Sequence, residues 1–171
     1  CYTVLNPLDE PCRDVFYLPQ IASGFIAQEP GVTLQNVVLA DGTAATAVYG
    51  LERPALGAAV LHFVPGEQPA QTSHFVYDGK TLTTPLLQVQ LDELGRITSL
   101  VTRADGMQWA DGPMNTLLMA EDVSAGWDGW DIDADCMMKL QPAARLTKQT
   151  VTADGPQEFR LHSRYELGTA T

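Results

Sequence analysis

The sequence predicts an all-β protein built as an antiparallel β-sandwich. Asp-Gly dipeptides punctuate the chain, and both residues tolerate the positive φ angles that tight hairpins require. The segments between these turns are short and rich in β-branched and aromatic residues, and no stretch keeps helical spacing for three turns. Regular turns between short strands are typical of sandwiches. The six dipeptides begin at Asp41, Asp78, Asp105, Asp111, Asp128 and Asp154.

Strands are predicted in chain order from the runs that lie between the turns. The last run alternates along its length, because Phe159, Leu161 and Tyr165 fall on one face and charged residues on the other. The predicted strands cover residues 32–40, 58–64, 72–77, 86–92, 96–101 and 158–167.

The clearest signal is a hairpin over residues 86–101. Leu87, Val89 and Leu91 alternate with Gln88, Gln90 and Asp92, which is the period of a half-buried strand. A Leu-Gly turn follows, and the next run begins the returning strand. The pattern therefore predicts a hairpin whose buried side chains are Leu87, Val89, Leu91 and Ile97.

The chain is predicted to divide into two β domains, at residues 1–80 and 81–171. Two stretches rich in Pro, Gly or Thr are candidate boundaries, 65–70 and 80–85. We favour the second because the strongest hairpin begins directly after it.

Composition and charge exclude several classes of protein. The chain has 171 residues, of which 45% are hydrophobic and 18% charged, and this balance is typical of a globular protein rather than a disordered one. Its formal net charge of -11 repels phosphate backbones and anionic lipids. We therefore expect no nucleic-acid partner and no membrane partner.

The cysteines favour a reducing compartment. The chain has an odd number of cysteines, Cys1, Cys12 and Cys136, and their spacing matches no zinc ribbon or CxxC pair. A cytoplasmic location is therefore expected, although the sequence leaves one disulfide as an alternative. No apolar run approaches the ~20 residues of a membrane span, and no signal peptide is visible. A start without Met and an end after a strand-like run predict a piece cut from a longer protein.

The most unusual stretch is an acid-aromatic cluster at residues 127–135. Its indole rings can stack on the apolar faces of sugars while its carboxylates accept hydrogen bonds from hydroxyl groups. The alternative is a structural loop whose indoles pack into the core or against a neighbouring domain. The candidate residues for substrate binding or a domain interface are Trp127, Asp128, Trp130, Asp131 and Asp133.

No metal or catalytic motif emerges from the residues themselves. A calcium loop starting at Asp131 requires Gly and Glu where the chain has Cys136 and Pro142. His62, His74 and His162 are not at the spacing of metal ligands. The paired carboxylates of a glycosidase can be distant in sequence, so the acidic residues alone do not decide that class.

Several motifs together resemble the family 38 glycoside hydrolases, the class II α-mannosidases. Residues 87–100 resemble the family's V-x-L-D-E-x-G-R-I-x-S-L hairpin, and residues 112–122 its G-x-x-N-x-L-x-x-x-x-D run. Residues 127–133 resemble its W-D-A-W-D-I-D signature, with Gly129 in place of the alanine. The amino end, Leu-Asn-Pro-Leu at residues 5–8, is similar to the start of the family's β region.

The resemblance implies an accessory role. Members of this family are retaining α-mannosidases that carry a zinc ion and an aspartate nucleophile on an amino-terminal α/β barrel with a His-x-Asp motif. This chain has no such motif, so no catalytic and no metal-ligating residue is carried over. It corresponds to a small β-sandwich followed by the first strands of a larger, galactose-mutarotase-like supersandwich.

Two functions follow as expectations. The first is an accessory β-sandwich fragment of a bacterial-type α-mannosidase, inactive by itself. Its partners would be the catalytic domain of the same protein, which would hold the zinc, and an α-mannoside substrate. The second is an independent carbohydrate-binding β-sandwich module.

Overall fold

The computed structural model confirms the all-β class. It describes residues 1–68, 72–123, 126 and 132–167. Every strand pair with a defined register is antiparallel. Within the described ranges, the only helix is the short Cys136–Lys139 (α1), and no helix is long and apolar enough to cross a membrane.

The chain forms two compact units. The first unit contains Cys1–Phe75 and Val151–His162, and the second contains Val76–Thr150 and Ser163–Thr171. Compact units are defined by contacts and not by sequence motifs, so the predicted division into domains 1–80 and 81–171 stays a prediction.

Seven strands of the first unit form three antiparallel sheets. The largest has the order β2-β5-β4, and the pairs β1-β6 and β3-β7 make the other two. The strands are β1 Tyr2–Leu5, β2 Phe16–Pro19, β3 Phe25–Ala27, β4 Thr33–Val38, β5 Ala44–Tyr49, β6 Ala58–Leu61 and β7 Phe63–Pro65.

The central strand β5 places the core of the first unit on both faces of its sheet. Val48 points into a cluster with Leu34, Leu51 and Leu61, whereas its neighbour Ala47 lies in a second cluster. This follows from the pleat, because successive side chains of a strand point to opposite faces. The second cluster consists of Val37, Ala45, Ala47 and Ala153.

The second unit is organised around a four-stranded antiparallel sheet with the order β11-β10-β9-β8. Two short strands outside it, β12 and β13, pair with each other. The elements are β8 Val76–Tyr77, β9 Thr81–Thr83, β10 Leu87–Leu91, β11 Ile97–Thr102, β12 Leu118–Met119 and β13 Gln141–Pro142. A long hairpin follows, formed by β14 Ala144–Asp154 and β15 Phe159–Leu167.

The predicted hairpin is confirmed, but its inner face is less covered than expected. Leu87 pairs with Thr102 and Leu91 with Ile97, and a bulge lies between Gln90 and Leu91. The exposure of β10 alternates as predicted. Its inward side chains, and that of Ile97, are nevertheless only half-buried. The physical reason is that the described residues of the second unit contain no buried hydrophobic side chain to pack over them.

Other strand predictions hold in part. The run 58–64 is interrupted at His62, so it forms β6 and β7, and the run 72–77 contributes only Val76–Tyr77. The final strand exists as Phe159–Leu167, but its first five residues are all half-buried and do not alternate in exposure.

The five Asp-Gly turns that the structure describes are of two kinds, and the sixth, at residues 128–129, lies outside the described residues. Gly42, Gly79, Gly106 and Gly112 adopt positive φ, as the prediction requires. Gly155 does not, and its lack of a side chain matters for another reason: a Cβ there would lie 2.4 Å from Cδ of Gln35. Glycine is required at this position because of close packing.

Candidate functional site

The predicted acid-aromatic cluster lies in a loop of the second unit that is closed at its base. Strand β12 pairs antiparallel with β13, so that Leu118 opposes Pro142 and Met119 opposes Gln141. The residues between these strands, 120–140, are called the signature loop below. This strand pairing brings the two ends of the loop together through main-chain hydrogen bonds.

A hydrogen bond joins residues 120–123 to residues 132–140, two of the described parts of the signature loop. The Asp133 amide donates to Oδ1 of Asp122 at 2.8 Å. The amide of Cys136 donates to the Asp133 carbonyl at 2.9 Å, which begins the turn of α1. A residue before the tryptophans and a residue after them are therefore held against each other.

Lys139 neutralises the acidic end of this loop. Its Nζ lies 3.1 Å from Oδ2 of Asp133 and 2.6 Å from Oδ1 of Asp135. The hydrogen bond from Lys139 and the positive charge of that side chain lower the pKa of Asp133. The same two carboxylates raise the pKa of Lys139. Asp133 is thus an ionised acceptor that fixes the loop, whereas a general acid needs a raised pKa.

The structure describes one of the five predicted site residues. Asp133 is described, and it pairs with Lys139. Trp127, Asp128, Trp130 and Asp131 lie outside the described residues, so their predicted roles stay predictions. The sequence alone did not predict Asp122 and Lys139 as residues of this site. Lys139 could have been found from its spacing, because a Lys four residues after an Asp on a helix is a favourable ion pair.

Apolar side chains flank the tryptophans on both sides and face solvent. Val123 is 62% exposed and Ile132 is 68% exposed. Met137 and Met138 on α1 are 75% and 83% exposed. Exposed apolar residues that cluster along one segment are typical of surfaces that bind another protein or domain, and Met is common on such surfaces because it adapts its shape.

A match to a family model identifies the family of the chain. The model described as the glycosyl hydrolases family 38 C-terminal domain matches residues 82–171, a little over half of the chain. The chain belongs to glycosyl hydrolase family 38. The matched range contains the hairpin and the whole signature loop, in agreement with the resemblance of the motifs. No curated protein and no solved structure matched the chain.

Two cavities among the described residues of the family 38 domain are unlike an enclosed sugar site. One cavity beside Asn115 and Tyr165 has a volume of about 20 Å³, whereas ligand pockets usually need ~300 Å³ or more. An open depression is lined by two short segments, 85–87 and 102–104. Its one charged side chain, Arg103, donates to the carbonyl of Thr84 at 2.9 Å. This lining contains no aromatic platform for a sugar ring.

The zinc that the motif resemblance implies for the catalytic domain has no candidate group of ligands in the described part of this chain. No group of three or more His, Cys, Asp and Glu side chains is placed there to hold a metal ion. A zinc site needs about four converging ligands, or three and a water. We therefore derive no catalytic step through zinc in this chain.

A second polar cluster, in the first unit, is structural. Glu158 accepts hydrogen bonds from the hydroxyl groups of Tyr17 at 3.0 Å and Tyr49 at 2.9 Å, and it pairs with Arg160. Burial, followed by the hydrogen bond to Glu158, raises the pKa of both tyrosines. Neutral phenols donate hydrogen bonds and are poor nucleophiles, so this cluster fastens residues 151–162 to the β2-β5-β4 sheet.

Proposed function

We propose that this chain is the accessory β segment of a larger, bacterial-type α-mannosidase. The observation that carries the proposal is the match to the family's C-terminal domain across the hairpin and the signature loop. Catalysis would then lie on an amino-terminal catalytic domain of the same protein, which would supply the zinc ion, the nucleophile and the α-mannoside pocket. In this proposal the chain alone hydrolyses no mannoside.

The signature loop is proposed as the seam with that catalytic domain. Trp127 and Trp130 would pack there, and Asp128 and Asp131 would hydrogen-bond to loop backbone or to side chains of the catalytic domain. The exposed apolar residues on either side of them support this role, because they extend an apolar surface that a partner domain can cover. The ion pairs of Lys139 support it as well, since they fix the end of the loop before any partner arrives.

The chemistry of the cysteines supports a cytoplasmic location for the parent enzyme. Cys1, Cys12 and Cys136 are all free thiols in the structure. Free thiols are stable in a reducing compartment, whereas secreted proteins of this kind tend to pair them.

The test compares two tryptophans in the full-length enzyme. Trp130→Ala removes a proposed anchor, and Trp109→Ala is the matched control. Trp109 also belongs to the second unit but lies outside the loop, is 57% exposed and donates its indole N–H to Thr102. Truncating a buried anchor typically costs ~2 kcal/mol, which is roughly a thirtyfold loss. We expect that loss of p-nitrophenyl-α-mannoside turnover or of domain docking for Trp130→Ala, and a change below about twofold for Trp109→Ala.

Calorimetry with mannose and mannobiose separates this proposal from an independent binding module. The 171-residue chain should show no heat of binding, with or without Trp130→Ala. Sugar binding by the chain that Trp130→Ala abolishes would mean that the loop is itself a carbohydrate site, and the seam would be the wrong interpretation.

A further inference from the structure

Arg53 is a buried cation of the first unit without a carboxylate partner. The residue is only 6% exposed. Nε and Nη2 point at the sulfur of Cys12, at 3.3 and 3.1 Å, and Nη2 also donates to the carbonyl of Asp14 at 3.1 Å. Within the described residues, Nη1 is buried and has no hydrogen-bond partner, and no carboxylate lies within ion-pair distance.

The backbone holds this pair in place. Cys12 and Arg53 form an isolated antiparallel bridge and exchange both main-chain hydrogen bonds, at 3.0 and 2.9 Å. The buried side chain of Asn6 donates to the carbonyls of Arg53 and Pro54. The guanidinium also lies over the ring of Phe16, with Cζ 5.0 Å from the ring centroid. The approach of Arg53 to Cys12 is therefore set by the fold.

The arrangement places a buried positive charge directly at the sulfur of Cys12. A guanidinium stays protonated in proteins, and a buried charge without a counter-charge is costly. Sulfur lone pairs can accept hydrogen bonds from both N–H groups that Arg53 directs at Cys12. Charge-assisted hydrogen bonds are stronger when the acceptor is ionised. An adjacent Arg is one of the environments in which cysteines react as thiolates.

We propose that Cys12 is a reactive thiol and a site of reversible oxidation by hydroperoxides. The sulfur attacks the terminal oxygen of the peroxide, so that an S–O bond forms while the O–O bond breaks. The leaving hydroxide or alkoxide takes up a proton from water. Sulfur is oxidised to the sulfenic acid as the peroxide is reduced to water or an alcohol. A small thiol then reverses the change through a mixed disulfide, which a second thiol reduces.

Cys12 differs from the other thiols in its surroundings. It is half-buried rather than fully buried. Cys136 is also half-buried, but no charged side chain is hydrogen-bonded to its sulfur in the part of the chain that the structure describes. This makes Cys136 an internal reference of similar exposure.

Alkylation of the 171-residue chain with iodoacetamide near neutral pH, followed peptide by peptide by mass spectrometry, tests the proposal. We expect Cys12 to react about tenfold faster than Cys136 in the folded chain, because the guanidinium of Arg53 stabilises negative charge on the attacking sulfur. The excess should disappear in concentrated guanidinium chloride, where Arg53 no longer contacts the sulfur. Equal rates in the folded chain, or an excess that persists after unfolding, would overturn the assignment.

Two arginine variants locate the cause. Arg53→Met keeps a long buried side chain but removes the charge, and it should reduce the rate of Cys12 to that of Cys136. Arg13→Met is the matched control, because Arg13 is adjacent in sequence but exposed and paired with Glu52; it should change the rate by less than about twofold. Hydrogen peroxide with a dimedone trap should label Cys12 first in the native protein. Labelling of Cys136 first, or equal loss of rate in both variants, would contradict the proposal.

Discussion

The two compact units differ in how much apolar surface they bury. The first unit has two clusters of buried hydrophobic residues, on opposite faces of the β2-β5-β4 sheet. The described residues of the second unit contain none, and that unit carries more of the large exposed hydrophobic side chains. The first unit is therefore stabilised by its own core, whereas the second, most of which lies in the range matched by the family 38 model, leaves apolar side chains exposed among its described residues.

Strands β5 and β10 show the same contrast locally. In β5, four consecutive residues are buried, so both faces of the strand are covered. In β10, half-buried and exposed residues alternate, so one face is wet and the other is only partly covered. Hydrophobic stabilisation scales with the apolar area removed from water, and a substitution in the first unit should therefore cost more than the same substitution in the second.

The largest effect is expected from a pair of leucine truncations. Leu61 is fully buried in the first unit, so Leu61→Ala should lower the free energy of unfolding by about 2–5 kcal/mol. Leu91 is half-buried in the second unit, and Leu91→Ala should cost about 1 kcal/mol. Chemical denaturation followed by circular dichroism, with tryptophan fluorescence for the second unit, measures both. Equal losses would show that the second unit has a core of its own.

A glycine in the first unit should give an intermediate effect. Gln35 is 1% exposed, and its side-chain amide donates to the Glu158 carbonyl and accepts from the Glu158 amide. Gly155→Ala would push a Cβ into this amide, and we expect a loss of about 1–3 kcal/mol. In a Gln35→Ala background the same change should cost far less, because the clash is gone. A full loss in both backgrounds would mean that the backbone of Gly155 is responsible.

The smallest effect on stability is expected from acidification. One carboxylate of each unit, Asp92 and Glu29, can be compared. Burial alone would raise the pKa of Asp92, but hydrogen bonds from Arg96 and Leu94 lower it. Burial likewise opposes the lowering of the Glu29 pKa by hydrogen bonds from His62. A lowered pKa in the folded state gives stability that is present above the unfolded pKa, about 4, and is lost as pH falls through the folded value.

Asp92→Asn and Glu29→Gln should each remove part of this acid sensitivity. The stability of each variant at neutral pH should fall by about 1 kcal/mol or less, and its unfolding below about pH 4 should depend less on pH than that of the native chain. Denaturation curves from neutral to acid pH measure the slope. A steeper acid transition in either variant would contradict the assignment of these groups.

The sequence predicted what depends on local pattern. The hairpin over residues 86–101 follows from the alternation of Leu87, Val89 and Leu91 and from the turn at Gly95, which adopts positive φ as expected. The incomplete cover of this hairpin could not be predicted, because alternation shows which face is apolar but not what packs on it.

Long-range pairing lay beyond the sequence. Nothing local indicates that Arg53 contacts Cys12, that Gly155 packs on Gln35, or that residues 151–162 join the first unit. These contacts join positions far apart in the chain, and the choice among many possible partners is made by the packing of the whole unit. In the signature loop, the sequence singled out Asp133 as a candidate, and its role stays a prediction. The spacing that pairs Lys139 with Asp135 becomes informative only once the turn of α1 is known.

We propose that this family 38 chain serves a catalytic domain and does no chemistry alone. The most direct test is p-nitrophenyl-α-mannoside hydrolysis by the 171-residue chain and by the full-length enzyme, each with added zinc. We expect turnover by the full-length enzyme and no release of nitrophenol by the chain above the buffer rate. Hydrolysis by the chain that is proportional to its concentration and persists through further purification would contradict it.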